Sequence, residues 1–332
     1  MQAVFKFLMM LALTVGLQAR AQEKAIDLPS LQVWPNVTVS GISSGAFFAV
    51  QLHLAHSEII QGVASIAGGP WNCAQGSVTT AQIECMMIPN QIDVSRLVQQ
   101  ANTEAGKGSL AALDNISDDK VYLFGSPADG VVKKPAVDKL AEFYAAIAPE
   151  ADIKVEQSIE SAHGFPTLDF GNKCSQQASP WMQNCAFDTA GELLTHLYTA
   201  LNQRTNTVVS PITKFSQEPF RAGADLLSEG YIFIPKACSA GKKLCRLHIA
   251  FHGCLMNSDA VGDVFASKSG YNNWAETNDI VVLYPQADRS SKNPNGCWDW
   301  YGSNSADYAN RRGLQIKAVK AMIDRLMRSE AN

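Results

Sequence analysis

Covalent chemistry by a side chain needs a nucleophile at an exposed corner, a base to take its proton and a carboxylate to hold that base. The first of these stands in VTVSGISSGAFFAV, Val37 to Val50, where an alternating apolar run ends in Gly41-Ile42-Ser43-Ser44-Gly45 and a helix-compatible segment, Ala46 to His56, begins at once. Strand, sharp turn and helix in that order make the GxSxG elbow, whose serine Oγ is exposed while the following N–H points at a developing oxyanion. Ser43 is the central serine, because centring the motif on Ser44 would put the glycine positions on Ile42 and Ala46. A plain Gly/Ser turn gives the same pentapeptide, so its meaning rests on partners downstream.

In an α/β-hydrolase the partners sit on loops after strand ends, in chain order serine, acid, histidine. Lys120 to Phe124 (KVYLF) reads as a strand and stops at Gly125-Ser126-Pro127-Ala128-Asp129-Gly130. Asp152 to Ile159 alternates and runs into Ser161-Ala162-His163-Gly164. Ser43, Asp129 and His163 therefore follow three strands in the required order, with the helical pattern of Pro135 to Ala148 between acid and histidine. Of the six histidines, His163 is the one on the next strand-end loop after Asp129. His53, His56 and His196 fall on helices and His248 inside a strand, so they read as structural or solvated. Asp118, Asp119 and Asp152 read as solvated turn residues.

The elements that must position these groups alternate. GVASIAGG (62–69) is a further buried strand, and Ile92 to Ala105 and Thr189 to Asn202 are helical. Tyr231 to Pro235, Leu247 to Phe251 and Asp279 to Pro285 are later strands, Val261 to Phe265 and Tyr271 to Asn278 carry partial helical patterns, and Gly313 to Met327 is an amphipathic closing helix. Thr205 to Ser228 is polar and turn-rich, and reads as a connector between two halves. Alternation of this kind predicts an α/β fold with a mostly parallel central sheet and helices on both faces. One feature is rotated. The HG-type oxyanion loop that ordinarily precedes the nucleophile is here His252-Gly253-Cys254, near the other end of the chain. If the closing helix packs where it would feed the nucleophile strand, joining the termini restores the usual order, which predicts a circularly permuted α/β-hydrolase. His252 then shapes the oxyanion loop rather than moving protons.

Met1 to Ala21 carries Lys6, an apolar run from Phe7 to Leu17 and an Ala19-Arg20-Ala21 exit, the pattern of a cleavable signal peptide. The apolar run is too short to span a bilayer, so no membrane association is expected of the remaining chain. Residues 22–332 are expected to form one catalytic domain without a separate substrate-binding module, exported to the periplasm or outside the cell and monomeric. The net charge is −4 for the whole chain and the signal removes only basic residues, which excludes a nucleic-acid footprint. Eight cysteines in an exported chain suggest disulfides. Sequence alone leaves every pairing open, while proximity suggests Cys73 with Cys85, Cys174 with Cys185, Cys238 with Cys245 across a hairpin between YIFIPKAC and LCRLHIAF, and Cys254 with Cys297. No CxxC or histidine cluster points to metal, and neither metal nor cofactor is expected.

GISSGAFFAVQLHLAHS, the AHGFPT stretch around His163, SPWMQNCAFDTAGELL, AFHGC and NGCWDWYG together resemble the secreted poly(3-hydroxybutyrate) depolymerases whose catalytic domain is a circularly permuted α/β-hydrolase. The match runs from Val37 to about Met327. The resemblance implies a triad of Ser43, Asp129 and His163, oxyanion donors from the backbone of Ser44 and Cys254, and attack on short-side-chain 3-hydroxyalkanoate polyesters or oligoesters. It also implies a tryptophan near the crevice that contacts polymer. Trp300, with Trp298 and Tyr301 beside it, is the candidate because Cys297 would tether that loop to Cys254; the alternative is a buried aromatic cluster beside a disulfide. Two rival functions use the same features: a carbohydrate esterase of feruloyl or acetylxylan type, and a secreted binding protein on a hydrolase scaffold without turnover.

Overall fold

The computed structural model describes residues 24–239 and 243–328, so the expected signal peptide, 1–21, lies outside the described residues. Runs of Val, Ile, Leu and Phe with period two build the strands, and those in the middle are apolar on both faces because both faces are covered. In chain order the strands are β1 (Val33–Ile42), β2 (Ile60–Ile66), β3 (Lys120–Phe124), β4 (Asp152–Glu156), β5 (Phe165–Thr167), β6 (Asn172–Lys173), β7 (Met182–Asn184), β8 (Ile212–Ser216), β9 (Glu229–Phe233), β10 (Cys245–Phe251) and β11 (Ile280–Tyr284). Eight of them form one sheet in the order β4-β3-β2-β1-β10-β11-β9-β8, and β5-β7-β6 form a small second sheet. β1 pairs in parallel with β2 on one side and β10 on the other. β9 alone is antiparallel to both its neighbours, β11 and β8.

Counting β8 as first and passing from the closing helix into β1, the strands lie across the sheet as first, second, fourth, third, fifth, sixth, seventh and eighth. That is an α/β-hydrolase sheet with its starting point rotated. The junction is physical: Leu31 N–H donates to the Leu326 carbonyl at 2.9 Å, Arg325 Nε donates to the Leu28 carbonyl at 2.9 Å, and the Ser30 hydroxyl donates to the Arg328 carbonyl. The segment entering β1 thus lies against the end of helix Leu314–Met327.

Two cores cover the two faces. Val37, Val39, Val63, Leu123, Leu247 and Ile249 pack against helices Ser44–Ala55, Val94–Gly106, Pro135–Ile147 and Leu314–Met327. Ala64, Ile66, Tyr122, Phe124, Val282 and Tyr284, the alternate positions, pack against Thr189–Leu197 and Tyr271–Asn278. Helix Ser44–Ala55 is buried along its whole length, which holds the turn before it from all sides.

Two expectations change. The segment Thr205 to Ser228 contains β8, an edge strand in which only Phe215 is buried, so it lacks the apolar alternation that marks an inner strand. β9 and β10 do not form a hairpin, because β11 lies between them. Cys238–Cys245 therefore ties a crossover connection to the start of β10 rather than closing a turn. The other disulfides are Cys73–Cys85, Cys174–Cys185 and Cys254–Cys297.

Candidate active site

Ser43 follows β1 at φ 55° and ψ −121°, a positive-φ corner that a serine occupies only when its surroundings enforce it. The two glycines of the pentapeptide make the corner possible. A Cβ on Gly41 would lie 2.2 Å from the Gly45 carbonyl oxygen, and one on Gly45 would lie 2.4 Å from the His252 carbonyl oxygen. The first glycine lets the turn close on itself and the second lets the end of β10 come alongside. Ser43 N–H donates to the Ile66 carbonyl at 2.9 Å, anchoring the corner to β2 as well.

The loops after β3 and β4 bring the other two groups to this corner. His163 Nε2 is 3.0 Å from Ser43 Oγ and Nδ1 is 2.8 Å from Asp129 Oδ2. The second carboxylate oxygen of Asp129 accepts from Val131 N–H at 2.7 Å and Val132 N–H at 3.0 Å. With the carboxylate accepting throughout, Nδ1 carries the imidazole proton and Nε2 is left to accept from the serine hydroxyl. All three residues are buried, at 9, 8 and 4% exposure for Ser43, His163 and Asp129. Ser126 joins the acid loop to the histidine loop: its hydroxyl donates to the Ser161 carbonyl at 2.7 Å and accepts from Ser161 N–H at 2.9 Å.

The loop after β10 supplies the remaining wall. His252 is fully buried, and burial pushes its imidazole down to about 4, so it is neutral at ordinary pH. Its Nε2 accepts from Ala287 N–H at 3.1 Å, which places the proton on Nδ1, where it donates to the Gly253 carbonyl at 2.7 Å. That bond fixes the Gly253–Cys254 peptide, whose carbonyl is held by the His252 ring. The Ser44 N–H, first of helix Ser44–Ala55, and the Cys254 N–H, on a residue of the wall beside Ser43, make no hydrogen bond among the described residues. Together they can serve a negative oxygen forming on a carbon bonded to Ser43 Oγ.

Ser43 and His163 open on a cleft of about 200 Å³ whose walls are mostly apolar: Met86, Val131, Trp181, Leu255 and Met256, with Gln177 and Asn295 as polar lining. A larger depression of about 560 Å³ lies between helix Val94–Gly106 and the Ala306–Arg312 loop, but mixed charges line it and it holds none of the three residues. Among the described residues no group of three or more His, Cys, Asp or Glu side chains is arranged to hold a metal, and no helix is long and apolar enough to cross a membrane.

The aromatic expectation is corrected. Trp298 is fully buried and stacks on Phe48 at 4.7 Å; Trp300 is 6% exposed and stacks on Phe47 at 4.1 Å. Tyr301 packs edge-on against Trp300, and none of the three lines the cleft. The Cys254–Cys297 link does tether their loop, but it draws the indoles inward onto helix Ser44–Ala55, where their apolar area is taken from water. Trp181 is the tryptophan of the cleft. It stands four residues before Cys185 in the SPWMQNC stretch, so the same tether argument applied to Cys174–Cys185 would have found it. Met86 is likewise carried to the cleft by its neighbour Cys85, and its carbonyl accepts from Lys133 N–H at 2.9 Å, joining that segment to the acid loop. Beyond Met86, the side chains of Val78, Ile83, Met87 and Ile88 are about half exposed.

No family model matches the chain. The poly(3-hydroxybutyrate) depolymerase of Delftia acidovorans is 41% identical over 307 residues, covering 91% of this chain, and the chain spans 62% of that relative's length. The polyhydroxybutyrate depolymerase of Talaromyces funiculosus is 33% identical over 329 residues, covering 92% of this chain and 94% of the relative. Two solved structures match with a TM-score of 0.83 at 30% identity, over 91% of this chain and 98% of theirs. One is a PHB depolymerase from Penicillium funiculosum, the other a serine-to-alanine variant of a PHB depolymerase complexed with an R3HB trimer.

Proposed function

Because the chain belongs to the poly(3-hydroxybutyrate) depolymerase family, we propose that it is a secreted serine esterase that hydrolyses poly(3-hydroxybutyrate) or related short-chain polyhydroxyalkanoate esters through an acyl-enzyme. The observation that carries this reading is the unbroken chain from Ser43 Oγ through His163 to Asp129, ending at an apolar cleft. His163 Nε2 takes the hydroxyl proton as Ser43 Oγ attacks the ester carbonyl. The Ser44 and Cys254 N–H groups hold the oxyanion. His163 then gives the proton to the leaving alkoxide, and water, deprotonated by the same nitrogen, releases the acid and frees Ser43. Asp129 keeps the imidazole in the required tautomer and stabilises its charged form.

Several features support a polyester over a sugar ester. The cleft walls are apolar and sulfur-rich or aromatic, which suits a chain of methyl-bearing ester units, and Trp181 offers a flat face at its side. The half-exposed Val78, Ile83, Met87 and Ile88 extend an apolar surface beyond Met86, where an insoluble polymer could rest while one strand enters the cleft. Four disulfides suit export into an oxidising compartment. Residues 22–332 act in this reading as a single catalytic domain, and a monomer suffices because one chain supplies every group named.

The test is product release by the mature protein from poly(3-hydroxybutyrate) granules and, in parallel, from feruloylated xylan. Release of 3-hydroxybutyrate or its oligomers, abolished in Ser43→Ala, is the expected result. Release from the xylan alone would overturn the substrate, and hydrolysis unchanged in Ser43→Ala would overturn the mechanism. Stoichiometric labelling of Ser43 by an organophosphonate separates an enzyme from a binding protein on the same scaffold.

A further inference from the structure

We propose that Gln183 is a positioning residue for His163, holding the histidine's backbone carbonyl so that its ring keeps both of its bonds. This rests on the reading of His163 as the base. Gln183 lies on β7 in the small sheet and is fully buried. Its Nε2 donates to the His163 carbonyl at 3.0 Å and lies 3.5 Å from the Gln176 carbonyl. Its Oε1 has no partner among the described residues.

A buried amide with one end unpaired is a poor way to gain stability, since an unsatisfied buried acceptor is costly and an apolar side chain of equal size avoids the cost. The amide is therefore best understood through the bonds its nitrogen makes, of which the one to the His163 carbonyl is the shorter. The neighbouring position is cut away to allow that bond: a Cβ on Gly164 would fall 2.1 Å from Gln183 Nε2. His163 needs such a hold because it is far from the main sheet. β4 ends at Glu156, and the loop between is fixed by Ser126 at Ser161 and by Ala162 N–H donating to the Cys174 carbonyl at 2.8 Å.

The holder itself is rigid. Pro166 lies opposite Gln183 in the β5–β7 pair, the Thr167 hydroxyl donates to the Gln183 carbonyl at 3.1 Å, and Cys174–Cys185 closes the segment. Trp181, in the cleft wall, is two residues away on the same strand segment, and its carbonyl accepts from Phe165 N–H at 2.8 Å. One piece of backbone thus sets both the cleft wall and the height of the imidazole. A shift of the His163 backbone by a fraction of an ångström lengthens the bonds to Ser43 and Asp129 together, and misplacement of about 1 Å is worth about 100-fold in rate.

The experiment compares Gln183→Met, which keeps length and removes the donor, with Asn172→Ala, which removes a hydrogen bond from the same small sheet one strand further from His163. Both are made in the mature protein. The readouts are kcat and KM on a soluble 3-hydroxybutyrate oligoester, the low-field proton resonance of the His163–Asp129 bond, and the thermal midpoint. Gln183→Met is expected to lose about 10- to 100-fold in kcat with KM within about twofold, and to lose or broaden the low-field resonance. Asn172→Ala is expected to keep both. Gln183→Met with wild-type kcat and an intact resonance overturns the proposal. So does an equal loss of kcat in Asn172→Ala, which would make the effect one of sheet stability. If Gln183→Met does not fold, Gln183→Glu takes its place: a carboxylate there repels the His163 carbonyl and favours the imidazolium, so kcat falls and the acid limb of kcat/KM moves to higher pH, whereas a wild-type profile overturns the proposal. Failure of the esterase reading is recognised separately, because the wild-type chain would then hydrolyse no ester while its low-field resonance still reports the effect of Gln183.

Discussion

Among the described residues are two buried histidine–aspartate pairs, His163 with Asp129 and His53 with Asp119, and both close at 2.8 Å. They differ in which ring nitrogen meets the carboxylate and in what the other nitrogen finds. His163 meets Asp129 through Nδ1 and turns Nε2 to a serine at the mouth of a cleft. His53 meets Asp119 through Nε2 and turns Nδ1 to the Tyr144 hydroxyl at 2.9 Å, in a site with no opening. Burial and the Asp119 charge hold the Tyr144 phenol well above its usual range, so it stays protonated and donates. The lesson is that a paired, buried histidine is not a site in itself. The third partner and its access to substrate decide between a base and a core fastening.

The largest effects that can test this contrast come from neutralising each aspartate. Asp129→Asn removes the acceptor that fixes the His163 tautomer, and kcat on a soluble ester is expected to fall by about 10⁴-fold with little change in the urea midpoint. Asp119→Asn replaces a buried, charged acceptor by a neutral amide and is expected to cost about 1–3 kcal/mol of stability while kcat per folded molecule is kept. Steady-state kinetics and urea melts on the same two preparations give both numbers. A large loss of kcat in folded Asp119→Asn would abolish the distinction.

The contrast sharpens against His248 and His252, which are fully buried without a carboxylate. Burial lowers His248 to about 3 and His252 to about 4. His248 is held instead between Thr38 Oγ1 at 2.7 Å and Ser40 Oγ at 2.8 Å, which fastens β1 to β10 beneath the strand ends that carry Ser43 and Cys254. Because the unfolded chain binds these protons near pH 6.5 and the folded chain does not, stability contributed by the neutral rings is complete above about pH 6.5. It is lost as pH falls toward 4, on the order of 3 kcal/mol for each ring by that point. Urea midpoints measured from pH 7 to pH 4 are expected to fall, and His248→Asn is expected to reduce the slope by about half of the part due to these two residues. An unchanged slope would show that His248 does not titrate in this window.

What could be read from the sequence follows the same division. Ser43, Asp129 and His163 are legible because each stands on a polar loop at the end of an apolar strand, and chain order limits which polar residues can meet. The rotated fold is legible because the strand ending in His252-Gly253 comes late, and the disulfides are legible because their partners are near in sequence or unmatched otherwise. Asp119 is not: among polar turn residues nothing local distinguishes a solvated carboxylate from one that is 3% exposed beneath His53. Gln183 is hidden for the same reason, since its partner is a backbone carbonyl twenty residues away. The exchange of Trp181 for Trp298 and Trp300 is a matter of direction, because a tether predicts proximity to the site but not which way the ring turns. The strand β8 carries too little apolar alternation to be told from a loop until β9 pairs with it.

The smallest expected effect concerns the third partners themselves. Tyr144→Phe keeps the ring and its packing but leaves His53 Nδ1 without a donor in a site closed to water, a loss of about 1–3 kcal/mol. Ser43→Ala removes the corresponding partner from His163, yet that nitrogen faces the cleft and can be served by solvent, so the urea midpoint should move by no more than about 0.5 kcal/mol while hydrolysis disappears. The two variants are thus expected to give opposite patterns: stability lost with kcat and KM within about twofold for Tyr144→Phe, and activity lost with stability kept for Ser43→Ala. His53 lies on the helix that begins at Ser44, so a disturbance at its ring has a direct mechanical route to the elbow. A tenfold fall in kcat in folded Tyr144→Phe would show that this route is used and that the closed pair helps to position the open one. Unchanged kcat would mean that the helix, buried on every side, isolates the two pairs.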